Sequence, residues 1–272
     1  MLGENGLLST PAVSALIRRY NKDQEGCCMG AIILTASHNP GGPDNDFGVK
    51  FNTENGGPAL EGLTNKIFEE SKAIKAYPWP KDEISFNAFG ILKNNAFGKF
   101  GEFEHEFSVE VVDSTANYCE LMGSIFDLEA IKNLVSREDF EVTFDGMNGV
   151  AGPYARRIFS GILGVDGAKL LNCTPLEDFG GLHPDPNLKY AKQLVDRMGL
   201  GSEETKDVPD FGAACDGDAD RNMILGKKFF VTPSDSLAVI AANANCIPYF
   251  KKNGLKGKFL IHLRRGTQYA YF

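Results

Sequence analysis

The sequence lacks the features that mark several large classes of protein. Its six cysteines include no C-x-x-C pair, and the adjacent Cys27 and Cys28 do not have the spacing of a zinc finger, so we expect a reduced, intracellular setting. Lys and Arg number 28 against 36 Asp and Glu and form no stripe, which argues against a nucleic-acid or anionic membrane surface. We expect small-molecule partners.

Long apolar runs are also missing. No basic segment followed by an apolar core opens the chain, and the most apolar later stretch, 236–250, is interrupted by Asn243 and Asn245. We therefore expect a cytoplasmic protein with no membrane span.

The length and the apolar pattern indicate the fold class. A chain of 272 residues with 43% hydrophobic residues fits two ordinary domains and part of a third. Short apolar runs alternate with helical periodicity and glycine turns, which favours an α/β class built of βαβ units around mixed or parallel sheets. The predicted organisation is an incomplete first domain over 1–106, a second over 107–230, the start of a third over 231–257 and a tail over 258–272.

The local patterns predict individual helices and strands. Strands are expected at Gly30–Leu34, Phe47–Asn52, Phe107–Val112, Phe140–Asp145, Ala168–Cys173, Phe211–Cys215 and Asn222–Leu225. Helices are expected at Pro11–Tyr20, Leu60–Ile74, Ala116–Phe126 and Asp127–Leu134, after Pro153, and from Ser234 to about Tyr249. The stretch Tyr77–His105 lacks clean periodicity and is interpreted as irregular surface.

Ser37 is a candidate nucleophile. It directly follows a predicted buried strand, in a turn with Pro40, Gly41 and Gly42 where backbone N–H groups can converge on an anion. No G-x-S-x-G motif surrounds it, so an α/β-hydrolase is disfavoured and phosphoryl chemistry fits better than acyl chemistry. The alternative is a simple polar turn.

Three aspartates form a candidate metal site. Asp216, Asp218 and Asp220 recur at every second residue after a predicted strand, and converging carboxylates repel one another unless a hard cation such as Mg²⁺ neutralises them. An EF-hand is excluded because Arg221 and Lys227 stand at its sixth and twelfth positions. An aspartyl phosphatase of the haloacid dehalogenase type, with Asp216 as nucleophile, is a weak rival, and a solvated acidic turn is the other alternative.

These motifs resemble those of the phosphoglucomutases in the α-D-phosphohexomutase superfamily, of the eukaryotic type that includes the parafusin branch. The serine turn resembles their phosphoserine loop, and the aspartate run resembles their metal loop. The similar segments, in family order, are 35–42 (TASHNPGG), 47–52 (FGVKFN), 176–181 (LEDFGG), 183–188 (HPDPNL), 216–226 (DGDADRNMILG) and 229–236 (FFVTPSDS). The resemblance extends from Gly3 to about Gly257.

The resemblance implies a role for each matching position. Ser37 carries the phosphoryl group, and with the three aspartates it binds Mg²⁺. Arg221 and His38 contact phosphate or sugar oxygens, and His38 belongs to the catalytic set. Lys50 is the position of proton transfer, although an exposed strand lysine is an equal alternative. The implied reaction interconverts glucose 1-phosphate and glucose 6-phosphate through glucose 1,6-bisphosphate in a monomeric enzyme that binds sugar phosphates.

Two departures from the family pattern limit that expectation. Ala219 stands where the family has glycine, which matters if this position needs a positive φ. Family segments before Gly3 and after Gly257 have no counterpart, so we expect a truncated chain with little mutase activity by itself. The alternative function is a catalytically inactive binding or signalling relative of the parafusin or aciculin type.

Overall fold

The computed structural model describes residues 1–23, 28–76, 90–93, 108–201 and 206–254. The chain forms two compact units that interleave along the sequence. The first unit contains Met1–Leu8, Ala12–Ile33 and Lys50–Asn117, and the second contains Ser9–Pro11, Leu34–Val49 and the chain from Tyr118 onward. The domain boundaries expected from the sequence stay a prediction.

The described residues of the N-terminal part form the following strands and α-helices. They are β1 (Leu2–Gly3), α1 (Thr10–Asp23), β2 (Gly30–Thr35), β3 (Gly48–Thr53), α2 (Glu61–Ala73), β4 (Gly90–Lys93) and β5 (Ser108–Val112). Strands β1, β5 and β4 form one sheet in that order, and β2 pairs with β3. A small core joins α1 to β2, because Val13 and Ile17 pack against Ile33. The strands and helices predicted at these positions are therefore present, with ends shifted by up to three residues. The expectation that the strand before Ser37 is buried is wrong, since Ile32 and Leu34 of β2 are 71% and 63% exposed.

The described chain from Ala116 onward, most of which belongs to the second unit, is built around a mixed sheet. Its elements are α3 (Ala116–Ile125), α4 (Leu128–Val135), β6 (Val142–Asp145), α5 (Ala151–Ala155), β7 (Leu170–Leu171), α6 (Lys192–Arg197), β8 (Phe211–Cys215), β9 (Asn222–Gly226), β10 (Phe229–Val231), α7 (Pro233–Ala242) and α8 (Pro248–Asn253). The strand order is β10-β9-β8-β6-β7. Because β7, β6 and β8 are parallel while β9 and β10 are antiparallel, the predicted α/β class with mixed sheets is confirmed.

The core of the second unit fixes the central strand β8. Leu194 of α6 and Met198, the residue directly after α6, are fully buried and pack with Ala214 of β8 and Leu225 of β9. In a second cluster, Ala213 of β8 packs with Phe144 of β6 and with Ala151 and Ala155 of α5. Strand β8 is therefore fixed at the centre of the sheet by packing on both faces. The aspartate run begins directly after its carboxyl end.

Two predicted elements differ from the structure. The helix expected from Ser234 to Tyr249 ends at Ala242, is followed by the 3₁₀ turn Ala244–Cys246, and resumes as α8. Pro248 explains why no helix runs through Ile247, which has φ of -90° and ψ of 116°, since the residue before a proline is driven out of the helical region. The strand expected at Ala168–Cys173 is only β7, because a 3₁₀ turn over 167–169 precedes it and Asn172, with φ of 47°, ends it.

Three further differences concern unclear sequence patterns. The stretch interpreted as irregular, Tyr77–His105, contains β4, which pairs with β5; its remaining residues lie outside those described, as does Phe107. The helix expected to begin at Pro153 starts at Ala151 and continues as a π-helical segment, Arg156–Ile162. Sequence patterns also missed α6 and β10, because both are short.

Candidate active site

The Ser37 turn follows directly from the end of β2. The Ser37 backbone N–H donates to Thr35 Oγ1 at 2.8 Å, and the Asn39 N–H donates to the Ala36 carbonyl at 3.1 Å. Ser37 has a φ of 56°, in the left-handed region that non-glycine residues rarely adopt. The half-buried serine therefore sits in a tight turn at a strand end, as its sequence position indicates.

The three aspartates converge in the loop that follows β8. Asp216 and Asp218 are 0% and 3% exposed, while Asp220 is exposed. One carboxylate oxygen from each lies within 4.8 Å of the others. The loop is closed by hydrogen bonds from the Arg221 N–H to Asp216 Oδ1 at 2.9 Å and from the Asp216 N–H to the Arg221 carbonyl at 3.2 Å. The predicted clustering of these carboxylates is therefore present.

The electrostatics of this loop fit a bound cation. Burial and the neighbouring Asp218 and Asp220 carboxylates raise the pKa of Asp216 well above its usual range, although the Arg221 N–H opposes this. Among the described residues, nothing donates a hydrogen bond to the buried Asp216 Oδ2. A cation would stabilise the charged form and provide a partner for that oxygen. The acidic triad can thus hold a metal ion.

The serine turn and the acidic loop are in direct backbone contact. A Cβ atom added to Gly217 would lie 2.3 Å from the Ser37 carbonyl oxygen and 2.8 Å from the Phe179 ring. The Gly217 carbonyl in turn accepts from the Val150 N–H at 3.0 Å. Only glycine fits this close approach. Ser37 and the aspartates therefore belong to one local arrangement within the second unit.

His38 and Arg221 belong to the same arrangement. Burial and the Arg221 guanidinium lower the pKa of His38, while Asp185 opposes them, so the imidazole is biased toward its neutral form. His38 Nδ1 is buried and has no hydrogen-bond partner in the part of the chain described. His183, which also lowers the His38 pKa, stacks on Tyr190 with ring centroids 4.0 Å apart. Polar groups thus surround the Ser37 turn.

Two residues stand apart from the candidates discussed so far: one was predicted from the sequence and is untested, and one was not predicted. Lys50 lies in β3 and belongs to the first unit, so its proton-transfer role stays a prediction. Thr10 was missed: its hydroxyl donates to Asp218 Oδ2 at 2.5 Å. In the sequence, Thr10 and Pro11 indicate only a helix start, and no local pattern relates them to a loop 208 positions away.

Comparisons with known proteins agree on one family. The models of phosphoglucomutase/phosphomannomutase α/β/α domains I and II match residues 2–78 and 116–228. A cytoplasmic phosphoglucomutase of Mesembryanthemum crystallinum is 58% identical over 259 residues, covering 94% of this chain and 43% of its own length. A probable cytoplasmic phosphoglucomutase of Arabidopsis thaliana is 57% identical with the same coverage.

Solved structures show the same likeness. The open form of an exocytosis-sensitive phosphoprotein of Paramecium, described as pp63/parafusin and as a phosphoglucomutase, superposes with a TM-score of 0.82 at 52% identity, covering 90% of this chain and 43% of that one. A putative phosphomannomutase of Thermus thermophilus has a TM-score of 0.61 at 24% identity, which bears on the fold alone.

Fold and site together define an α/β protein with a candidate metal centre beside a strand-end serine. The chain belongs to the phosphoglucomutase/phosphomannomutase family, and it spans about 43% of the length of the curated relatives it matches. The resemblance inferred from the sequence is thereby confirmed. In the described part of the chain, no helix is long and apolar enough to cross a membrane.

Proposed function

We propose that this chain supplies the phosphoserine and metal-binding part of a phosphoglucomutase. The reaction interconverts glucose 1-phosphate and glucose 6-phosphate through glucose 1,6-bisphosphate. The contact of Gly217 with the Ser37 carbonyl carries the proposal, because it joins a candidate nucleophile to a triad suited to a cation. The names of the relatives support glucose rather than mannose phosphates as substrates, and they support the phosphoglucomutase activity and a cytoplasmic location.

In this proposal, Asp216, Asp218 and Asp220 hold Mg²⁺, which when bound offsets negative charge on the transferring phosphoryl group. A phosphate on Ser37 adds a further hard oxygen ligand for the ion. The Ser37 Oγ–P bond breaks as a sugar hydroxyl oxygen bonds to phosphorus; Lys50 takes the hydroxyl proton, and the released Ser37 Oγ is protonated in turn. In the second transfer, the other sugar O–P bond of the bisphosphate breaks as Ser37 Oγ bonds to phosphorus, and the serine hydroxyl proton passes to the released sugar oxygen.

Arg221 and His38 bind and orient the substrate in this scheme. A guanidinium matches the geometry of phosphate oxygens, and the neutral imidazole favoured at His38 can hydrogen-bond to a sugar or phosphate oxygen. Orientation matters because correct positioning alone supplies several kcal/mol, roughly 7 to 11 in well-oriented systems. The alternative of an inactive binding relative gains no support from the site, since Ser37 and all three aspartates are present.

Phosphorylation of Ser37 tests the nucleophile. After incubation with glucose 1,6-bisphosphate and Mg²⁺, we expect one phosphoryl group per chain, located on Ser37 by intact-mass measurement and peptide mapping. Ser37→Ala should remove it, and the matched control Ser136→Ala, an exposed serine after α4, should not. Label on another serine with Ser37 unmodified would refute the assignment.

Metal affinity tests the triad separately. Asp218→Asn should weaken Mg²⁺ binding in a calorimetric titration, because it removes a charged oxygen ligand. Asp210→Asn is the matched control, since Asp210 precedes β8 and accepts from the Glu141 N–H instead. Equal effects of the two changes would show that the acidic loop is only a solvated turn.

A further inference from the structure

Thr10 makes two hydrogen bonds to one residue of the acidic loop. Its hydroxyl donates to Asp218 Oδ2 at 2.5 Å, and its backbone N–H donates to the Asp218 carbonyl at 3.0 Å. Thr10 is the first residue of α1, yet it belongs to the second unit together with Asp218. Main chain and side chain of Asp218 are therefore both held by the same residue.

This pair of contacts acts on a buried carboxylate. Asp218 is only 3% exposed, so few water molecules can orient its oxygens. A hydrogen bond from a hydroxyl to a carboxylate at such a distance is of the short, charge-assisted kind, which is about twice as strong as a neutral one. Because it fixes one oxygen of Asp218, it also fixes the direction in which the carboxylate faces the triad.

The two buried carboxylates of the triad are held by donors from different parts of the chain. The Asp216 carboxylate is held from within its own loop by the Arg221 N–H. The same loop turns through Ala219, whose N–H donates to the Asp216 carbonyl at 3.1 Å. The Asp218 carboxylate instead receives its hydroxyl donor from far along the chain.

We propose that Thr10 is a positioning residue for the divalent cation, acting through Asp218. Groups hydrogen-bonded to metal ligands commonly set ligand orientation, and their loss typically lowers metal affinity by about 10- to 100-fold. The inference rests on the proposed function in one respect, namely that the triad binds a cation.

The competing explanation is that Thr10 serves only to start its helix. A second Thr-Pro pair in the chain allows the two roles to be separated. Thr232 precedes Pro233 at the start of α7, where its hydroxyl donates to the neighbouring Asp235 at 2.7 Å and accepts from the Asp235 N–H at 3.2 Å. Thr232 is therefore a matched threonine whose hydroxyl has a purely local cap role.

Titration of Mg²⁺ by calorimetry, on the full chain and in parallel with Mn²⁺ by electron paramagnetic resonance, tests the proposal. Thr10→Val should weaken binding by about tenfold or more, and Thr10→Ser should restore it, because serine keeps the donor. Thr232→Val should leave the affinity unchanged. Should the valine variant not fold, Thr10→Ala removes the same hydroxyl with less bulk and carries the same expectation.

A double-mutant cycle with Asp218→Asn separates this inference from the proposed function. If Thr10 acts through Asp218, Thr10→Val should have little further effect on metal affinity once Asp218 is replaced. The role of Thr10 would be overturned if folded Thr10→Val bound the metal as tightly as the parent chain, or if Thr10→Val and Thr10→Ser lost metal affinity equally. Either result would leave the metal site at the triad in place. A parent chain that binds neither metal would overturn the metal site and the inference together.

Discussion

Two residues of the candidate site adopt a backbone conformation that suits glycine. Ser37 and Ala219 have φ values of 56° and 63°. For residues with a Cβ, the left-handed region costs roughly 1 to 2 kcal/mol, and such residues persist where neighbouring bonds fix them. Ala219 is fixed by its N–H bond to the Asp216 carbonyl. The departure from the family's glycine therefore does place a strained residue in the acidic loop.

Ala219→Gly should relieve this strain. The expected gain in free energy of unfolding is roughly 0 to 1.6 kcal/mol, because the larger conformational entropy of glycine lowers the free energy of the unfolded chain by about 0.4 to 1 kcal/mol and offsets part of the relieved strain. Thermal unfolding measures it. The control Ala214→Gly, at a fully buried position in β8, should instead lower stability by removing a packed methyl group. A drop in stability for both variants would contradict the strain at Ala219.

At the scale of elements, the site depends on two loops that leave the ends of β2 and β8. They approach so closely at Gly217 that a methyl group there would collide with the Ser37 carbonyl. The ring of Phe179 lines the same place and also lies 3.0 Å from the position of a Cβ on Gly41. The spacing of the two loops is therefore set by backbone and aromatic contacts, independently of the aspartates themselves.

Gly217→Ala should separate the serine turn from the acidic loop. We expect slower phosphorylation of Ser37 by glucose 1,6-bisphosphate and weaker Mg²⁺ binding to the phosphorylated chain, because in the proposed site the Ser37 phosphate and the triad would no longer be close enough to bind the same ion. Gly226→Ala is the matched control, since the nearest atom to its added Cβ is 3.8 Å away. Unchanged phosphorylation and metal affinity in folded Gly217→Ala would show that the contact is not needed.

Local sequence patterns predicted β2, β8 and the loops that follow them. They did not predict contacts between residues that are far apart in the chain. Strand β8 and the aspartate run were predictable because the short apolar run and the aspartates at every second residue are adjacent in the sequence. The Thr10 contact to Asp218 and the close approach of Gly217 to Ser37 were not, since each joins residues far apart in the chain. The prediction of one continuous helix to Tyr249 was wrong, because it followed the apolar pattern and disregarded the effect of Pro248 on Ile247.

At the scale of the whole molecule, the proposed chemistry is concentrated in one of the two units. The serine turn lies in the Leu34–Val49 segment and the acidic loop in the chain after Tyr118, and both belong to the second unit. Helix α2 belongs to the first unit and buries none of its residues. A ligand that binds only the second unit should stabilise that unit selectively, because binding favours the state that contains the site.

Hydrogen exchange with and without Mg²⁺ tests this selectivity. At 100 times the dissociation constant, a bound ion stabilises its unit by about 2.7 kcal/mol, so amides of β6 and β8 that exchange only when the unit unfolds should slow by about 100-fold. Amides of α2 should exchange at the same rate in both conditions, and Asp218→Asn should abolish the difference in β6 and β8. Equal slowing of α2, or slowing that survives Asp218→Asn, would mean that Mg²⁺ acts on the chain elsewhere than at the acidic triad.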